Sequence, residues 1–316
     1  MSGPALDVNE HSAAQTESLR HWDGRTSSGF GIRLMYWFFR VFGPLFVYTL
    51  LYPVVFYYFL SAGRHGRASR DYLKRVFPGA RGLKLLWLNY RHFLSFGRIL
   101  VDRAYAFAGM HERFKFDREN TEAFAQALAM GQGLIVVSAH MGNWELAAHT
   151  LATLSTYSVK VPINLVWFRN ESGEQEKHLK RVSGEQPYNI IDSRDPMQAS
   201  IDMVNALKRG EIVAIHGDRY TGNAINVPFF GSDAPFPSGP YVVAANTGAP
   251  VVWVFANRLG HCRYSLRVVG PRVLQYRSRK TRGEDLKNWT AEYARELERR
   301  LREFPLQWHN FYPFWG

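Results

Sequence analysis

The strongest constraint on the fold is an alternation of short apolar stretches with helical stretches that begins near residue 120. Predicted strands are 133–139, 160–168, 188–192, 211–217, 250–257 and 262–269, and predicted helices are about 120–130, 143–154, 172–183, 197–208, 239–247 and 282–303. Such repetition builds parallel sheets covered by helices on both faces. We therefore predict an α/β fold with a mostly parallel central sheet flanked by helices. Sites are expected where strand carboxyl ends meet helix amino ends.

An uncharged run of 23 residues precedes this region, from Val41 to Gly63. As one helix it spans about 35 Å, enough to cross a bilayer. Gly43, Pro44 and Pro53 interrupt the run. We predict an N-terminal hydrophobic membrane anchor over residues 31–63, a helix or a hairpin that spans the bilayer or re-enters it. A buried pair of core helices is the alternative. Basic residues flank both ends, so the charge pattern gives no orientation.

The rest of the chain divides simply. Residues 1–30 are polar and lack apolar periodicity, which predicts a flexible leader. Residues 64–316 are predicted to form one α/β domain, with a long amphipathic helix from Gly82 to Phe107. The chain has one cysteine, Cys262. An intramolecular disulfide and a cysteine-based zinc site are therefore excluded, and the catalytic part is expected to face the cytoplasm.

The net charge of +12 predicts attraction to polyanions. Nucleic acid is not expected as a partner because no recognition motif is present. Four basic residues cluster before the last predicted helix, at Arg277, Arg279, Lys280 and Arg282. They form either a solvated face or a surface that attracts anionic lipid or an acidic acyl carrier protein, and we favour the second interpretation.

The stretch VVSAHMGNWELAAH, residues 136–149, places His140 just after an apolar strand and Glu145 five residues later. With His140 in the loop and Glu145 in the first turn of the next helix, the carboxylate can reach back to the imidazole. Such a pair is suited to general-base activation of a hydroxyl. A surface histidine beside a helix-capping glutamate is the simpler alternative. A metal held by Glu145 and His149 is disfavoured, because HEXXH and further ligands are missing.

Four blocks in order carry a family resemblance over roughly residues 30–255. SAHMGNWE is similar to the His-x4-Asp/Glu motif of the lysophospholipid acyltransferase superfamily, and VWFRN, HGDRYTGN and VPFFGSDAPFPSGP with AANTGAPVV follow it. The order most closely resembles the bacterial lipid A late acyltransferase family, of lauroyl or myristoyl type. The resemblance implies that residues 64–316 form an acyltransferase domain with a glycerol-3-phosphate acyltransferase-like fold, preceded by an N-terminal membrane anchor.

The resemblance implies transfer of a fatty acyl group from an acyl thioester to a hydroxyl of a lipid or glycolipid. Acyl carrier protein or acyl-CoA is the implied donor, and no cofactor or metal is implied. His140 takes the general-base role and Glu145 orients and stabilises it, without an acyl-enzyme. The implied location is the bacterial inner membrane, with the catalytic domain on the cytoplasmic side.

Further predicted substrate-binding residues follow from matching the motifs. Asn143 is also the expected N-cap of the helix after His140. Arg169 is a candidate for binding an anionic group, or else a solvated arginine. Asp218 and Arg219 are expected on the acceptor side or as structural residues, and a local ion pair is their simpler interpretation.

A later group of predicted site residues lies around the PFFG stretch. Phe229, Phe230 and Gly231 are expected to border the acyl groove, although core packing and a turn are the simpler interpretation. Gly239 is expected to open a helix whose free amides hold a phosphate or polarise the thioester oxygen.

The C-terminal sequence FPLQWHNFYPFWG is aromatic, unlike the basic ending usual in lipid A enzymes. It predicts a core-packing tail with some interfacial contact, and a clamp on acyl chains is the alternative. This departure leaves the acceptor open between lipid A, another glycolipid, an ornithine-type lipid and an aryl polyene precursor. A hydrolase and a non-catalytic membrane scaffold remain as further alternatives.

Overall fold

The central element is a seven-stranded mixed sheet with the order β1-β9-β8-β2-β5-β3-β4. The computed structural model describes residues 29–106, 110–144, 146–147, 150, 161–167, 188–219 and 224–315. The strands are β1 Lys115–Glu119, β2 Leu134–Ser138, β3 Ile163–Trp167, β4 Tyr188–Asp192, β5 Ile212–His216, β6 Ala224–Phe229, β7 Ser232–Pro237, β8 Val251–Gly260 and β9 Arg263–Arg272. The strands from β8 to β4 pair in parallel, and β9 runs antiparallel to β8. The mostly parallel sheet predicted from the sequence is confirmed.

Helices cover both faces of this sheet. They are α1 Gly29–Ser61, α2 Gly63–Val76, α3 Gly82–Tyr105, α4 Glu122–Ala129, α5 Pro196–Lys208, α6 Gly239–Thr247 and α7 Arg282–Glu303. Successive β2 side chains alternate between two cores. Ile135 and Val137 pack in the core under α5, α6 and α7, whereas Leu134 and Val136 pack with α4. Trp144 begins another helix, as predicted, and the stretch predicted as a helix at 172–183 lies outside the described residues.

Three elements escaped the sequence-based assignment. The edge strand β1 is rich in charged residues, and α2 buries a stripe made mainly of small residues. Strands β6 and β7 form an antiparallel hairpin whose prolines disguise its alternation. The hairpin packs on α7, so it extends the core beside the sheet.

Helix α1 contains the predicted apolar run. Its backbone is kinked at Gly43, where φ is +76°, and it continues through Pro53 to Ser61. Residues Val41–Ser61 form a helix long and apolar enough to cross a membrane, and they are the candidate anchor. One face, including Leu51 and Val55, packs against α3 at Gly97. The predicted leader lies outside the described residues except for its last two positions.

The C-terminal segment, residues 305–315, follows α7 and turns back into the body of the domain. Trp308, Phe311 and Phe314 are buried, and their rings pack against His92, Phe229 and Phe236. The predicted core packing of this segment is confirmed, and its interfacial contact stays a prediction. The segment therefore reaches the interior at the carboxyl edge of the sheet.

Candidate active site

Two adjacent parallel strands bring the central residues together. Strands β2 and β5 pair in register, with Ser138 opposite His216, and the Gly217 N–H donates to the Ser138 carbonyl at 2.7 Å. The chain segments that follow both strands therefore emerge side by side at the same sheet edge. His140 stands on one segment and Asp218 on the other.

Asp218 holds His140 through two hydrogen bonds. The His140 Nδ1–H donates to Asp218 Oδ1 at 2.8 Å, and the His140 backbone N–H donates to Oδ2 at 2.9 Å. An ionised carboxylate only accepts hydrogen bonds, so it selects the tautomer with the proton on Nδ1. In this tautomer the lone pair of the ring is on Nε2.

Asp218 is fully buried, and Trp308 supplies its third donor, the indole Nε1–H, at 2.8 Å from Oδ2. Burial by itself raises the pKa of a carboxyl. The charge and hydrogen bond of His140, with the charges of His216 and Arg219, outweigh burial and hold the pKa of Asp218 well below its usual range. Asp218 is therefore a carboxylate at neutral pH.

His140 itself keeps 24% of its side chain exposed. Burial of the rest lowers its pKa, and the nearby Arg219 charge lowers it further, while Asp218 opposes both. Neutral His140 is thus the dominant form at pH 7, which is the form required of a base.

A second histidine lies beside His140. The His216 ring meets the His140 ring edge to face, with centroids 4.1 Å apart, and Trp144 packs on His216 at 4.7 Å. Burial, followed by the charge of His140, keeps the pKa of His216 well below its ordinary value. The sequence analysis missed His216 and Trp144. His216 ends β5 and Trp144 follows the His140 loop, and these positions at strand carboxyl ends could have indicated a site.

The turn between His140 and the next helix depends on Gly142. Its φ is +60°, and a Cβ there would lie 1.7 Å from the Ala256 carbonyl oxygen. The next N–H, of Asn143, donates to that carbonyl at 3.0 Å. Asn143 Oδ1 accepts from the Leu146 N–H at 3.2 Å, which is the N-cap role expected from the sequence. Its contact with substrate remains a prediction.

Comparison with known proteins bears on what this arrangement does. Residues 35–316 match the family model described as bacterial lipid A biosynthesis acyltransferase. The chain belongs to this family. The match extends through the C-terminal segment, whereas the motif resemblance covered only roughly residues 30–255.

Two curated relatives of this family member are phosphatidylinositol mannoside acyltransferases. The protein of Mycobacterium tuberculosis (strain ATCC 25618 / H37Rv) is 24% identical over 200 residues, which are 60% of this chain and 56% of the relative. That of Mycolicibacterium smegmatis (strain ATCC 700084 / mc(2)155) is 26% identical over 200 residues, 60% of this chain and 59% of the relative. The chain thus spans less than two thirds of the relatives it matches.

Arg219 lies next to the pair in this family member. Its Nε donates to Asn310 Oδ1 at 3.3 Å, and its guanidinium packs over the Tyr312 ring at 5.4 Å. The guanidinium therefore provides a fixed positive charge beside His140. Substrate binding by Arg219 stays a prediction.

The other predicted site residues are less closely tied to the pair. Phe229 and Phe230 are buried core residues, and Gly231 forms the β6–β7 turn with a φ of +77°. Their role as the border of an acyl groove stays a prediction. Gly239 opens α6, as expected, and α6 begins at the same sheet edge because it precedes β8, which runs parallel to β2.

Glu145, Arg169 and His149 lie outside the described residues. Glu145 was predicted to orient His140, and that role remains untested. The carboxylate on His140 in the described part of the chain is Asp218, whose position 78 residues further along hid this contact from sequence analysis. Asp218 was expected on the acceptor side or in a structural role.

Gly142→Ala is expected to destabilise the domain. The left-handed backbone costs about 1–2 kcal/mol for a residue with a Cβ, and the clash with Ala256 forces the loop away from β8. We expect the free energy of unfolding to fall by more than about 2 kcal/mol in denaturant titrations. Gly79→Ala is the control, because a Cβ there meets nothing within 4 Å. Equal stability of both variants would contradict the close approach of Gly142 to the Ala256 carbonyl.

Proposed function

We propose that this chain transfers a fatty acyl group from an acyl thioester to a hydroxyl of a glycolipid, with His140 as the general base. The observation that carries the proposal is the His140–Asp218 pair. A buried carboxylate fixes the Nδ1–H tautomer of a His140 ring that is 24% exposed, and this leaves Nε2 as the proposed base. Family membership supplies the reaction class.

The proposed reaction needs no covalent acyl-enzyme. Nε2 of His140 removes the proton of the acceptor hydroxyl while its oxygen attacks the thioester carbonyl. The tetrahedral intermediate then collapses, the carbon–sulfur bond breaks, and the proton on Nε2 passes to the leaving thiolate. Asp218 stabilises the transient imidazolium through Nδ1–H, as a buried carboxylate does in hydrolytic triads. Glu145 is proposed to stabilise the charged imidazolium as well, as the His-x4-Asp/Glu motif implies.

The acceptor is proposed to be a glycolipid. Both the family description and the names of the relatives refer to acylation in lipid biosynthesis, and the relatives act on a phosphatidylinositol mannoside. Lipid A, an ornithine-type lipid and an aryl polyene precursor are the other acceptors to compare. Acyl carrier protein or acyl-CoA is the proposed donor, and the charge of +12 suits both of these anionic partners.

The site is proposed to work at a membrane, with the catalytic domain on the cytoplasmic side of a bacterial inner membrane. Helix α1 supports this proposal because its outer face exposes large apolar side chains, including Leu45, Tyr57 and Leu60. Contiguous exposed apolar surface of this kind is typical of membrane or protein contact. Acceptor lipids would then lie close to the body of the domain that α1 packs against.

His140→Ala is expected to lower the rate of acyl transfer roughly 10³-fold, because a general base contributes about 10²–10⁴ in rate. Asp218→Asn should cause a loss of similar order through the wrong tautomer. The measurement is mass spectrometry of a lipid extract after incubation with acyl carrier protein or acyl-CoA thioesters of one chain length. His111→Gln, an exposed histidine remote in sequence from the pair, is the control.

Three outcomes separate the alternatives. A lipid that gains one acyl mass with wild type, and not with His140→Ala, supports the proposal and names the acceptor. Release of free fatty acid alone indicates a hydrolase. Unchanged lipids with both donors contradict the enzyme proposal and indicate a scaffold.

Membrane binding is expected to depend on the exposed face of α1. Leu45, Tyr57 and Leu60 changed together to glutamate should lose most flotation with phosphatidylglycerol-containing vesicles, because each buried apolar side chain contributes about 1.5–3 kcal/mol. The matched control changes Met197, Ile201 and Val273 to glutamate, three exposed apolar residues outside α1. Equal flotation of both triple variants would exclude α1 as the anchor.

A further inference from the structure

The C-terminal segment 305–315 is attached to both halves of the His140–Asp218 pair. It runs antiparallel to the loop after β2, with a bridge between Met141 and Trp308. The Gly142 N–H donates to the Gln307 carbonyl at 3.0 Å, and the His309 N–H donates to the His140 carbonyl at 2.8 Å. The segment thus fixes the backbone from the His140 carbonyl to the Gly142 N–H.

The side chain of Trp308 reaches the other half of the pair. Its indole is fully buried, and Nε1–H donates to the Asp218 oxygen that also accepts from the His140 backbone. Without this donor, the buried oxygen would keep one partner. A buried carboxylate that loses a donor becomes more basic and less well oriented.

The Trp308 backbone is itself held by a hydrogen bond from His92. His92 Nε2–H donates to the Trp308 carbonyl at 2.7 Å, and Ser69 Oγ lies 2.7 Å from His92 Nδ1. Burial lowers the pKa of His92 to about 4, so the ring is neutral and Ser69 donates to its Nδ1. A continuous series of hydrogen bonds therefore runs from α2 and α3 through Trp308 to Asp218 and His140.

We infer that Trp308 is a positioning residue for the His140–Asp218 pair, and that residues 307–309 of the C-terminal segment hold the His140 loop. The inference deepens the proposed function, since it rests on His140 as the base. Trp308 touches no substrate in this account. It acts by setting the charge and orientation of Asp218, and the segment around it keeps the His140 loop in place.

The test measures the pKa of the His140 imidazole in a pH titration of the full-length protein in detergent. The titration is monitored by NMR of ¹³C-labelled histidines. Trp308→Phe keeps an aromatic ring at this position and removes the indole N–H donor. The Asp218 charge is then less neutralised, so the pKa of the His140 imidazole is expected to rise relative to wild type. Trp315→Phe is the matched control, because the Trp315 Nε1–H donates to a backbone carbonyl, that of Phe229, at 3.2 Å.

The titratable groups of the described residues that act on His140, or are acted on by it, are Asp218, Arg219, His216 and His309. None of them is changed by either substitution. In the transfer assay, Trp308→Phe is expected to lower the rate roughly 10- to 100-fold, since hydrogen bonds to charged groups contribute on that scale. Trp315→Phe should remain within about threefold of wild type, given the smaller contribution of a neutral hydrogen bond.

An unchanged His140 pKa in folded Trp308→Phe, or an equal change in Trp315→Phe, would overturn the inference. If Trp308→Phe does not fold, Asp218→Asn provides the second measurement. The indole N–H proton of Trp308 should move upfield when its charged acceptor is removed, and an unmoved resonance overturns the inference. A wild type without acyl transfer refutes the proposed function alone, because the titration does not depend on turnover.

Discussion

A fully buried carboxylate is costly unless hydrogen-bond donors replace water, and Asp218 determines how this site is built. Its two oxygens accept from the His140 backbone, the His140 ring and the Trp308 indole. Removing an ion from water costs several kcal/mol unless such partners replace the lost hydration. The requirement ties together three segments that are distant in the sequence. The bond to the His140 ring selects its tautomer, and the other two bonds hold the carboxylate in place.

The sheet explains why these segments can meet. Parallel pairing of β2 with β5 places their carboxyl ends next to each other, and β8 on the other side of β2 receives the Gly142 turn. Helix α7 then carries the chain back across the sheet, where the Tyr293 hydroxyl donates to the Ser138 carbonyl at 2.7 Å. The C-terminal segment ends beside the two strands, and its aromatic residues close the core there. The aromatic residues of the ending are thus part of the core.

Much of this was predictable from local sequence signals. The apolar runs predicted six of the seven strands of the central sheet, and Gly142 with Asn143 indicated the turn and helix cap after His140. Gly43 and Pro44 indicated the break in α1, although Pro53 did not break the helix. Contacts between distant segments were not predictable, because spacing carries no information about which strands become neighbours. The bond from Asp218 to His140 and the role of Trp308 belong to this class. Strand β1 and the β6–β7 hairpin were missed because charges and prolines masked their period.

The proposed function combines a candidate membrane helix, a mostly parallel sheet and a histidine base in a member of the lipid A biosynthesis acyltransferase family. Its central claim is that Asp218 presents His140 as a neutral base with a free Nε2. Long-range ¹H–¹⁵N NMR of labelled histidines in the full-length protein at pH 7 tests this claim most directly. The predicted result is a His140 ring with a protonated Nδ1 and a bare Nε2. A ring protonated on Nε2, alone or together with Nδ1, would contradict it.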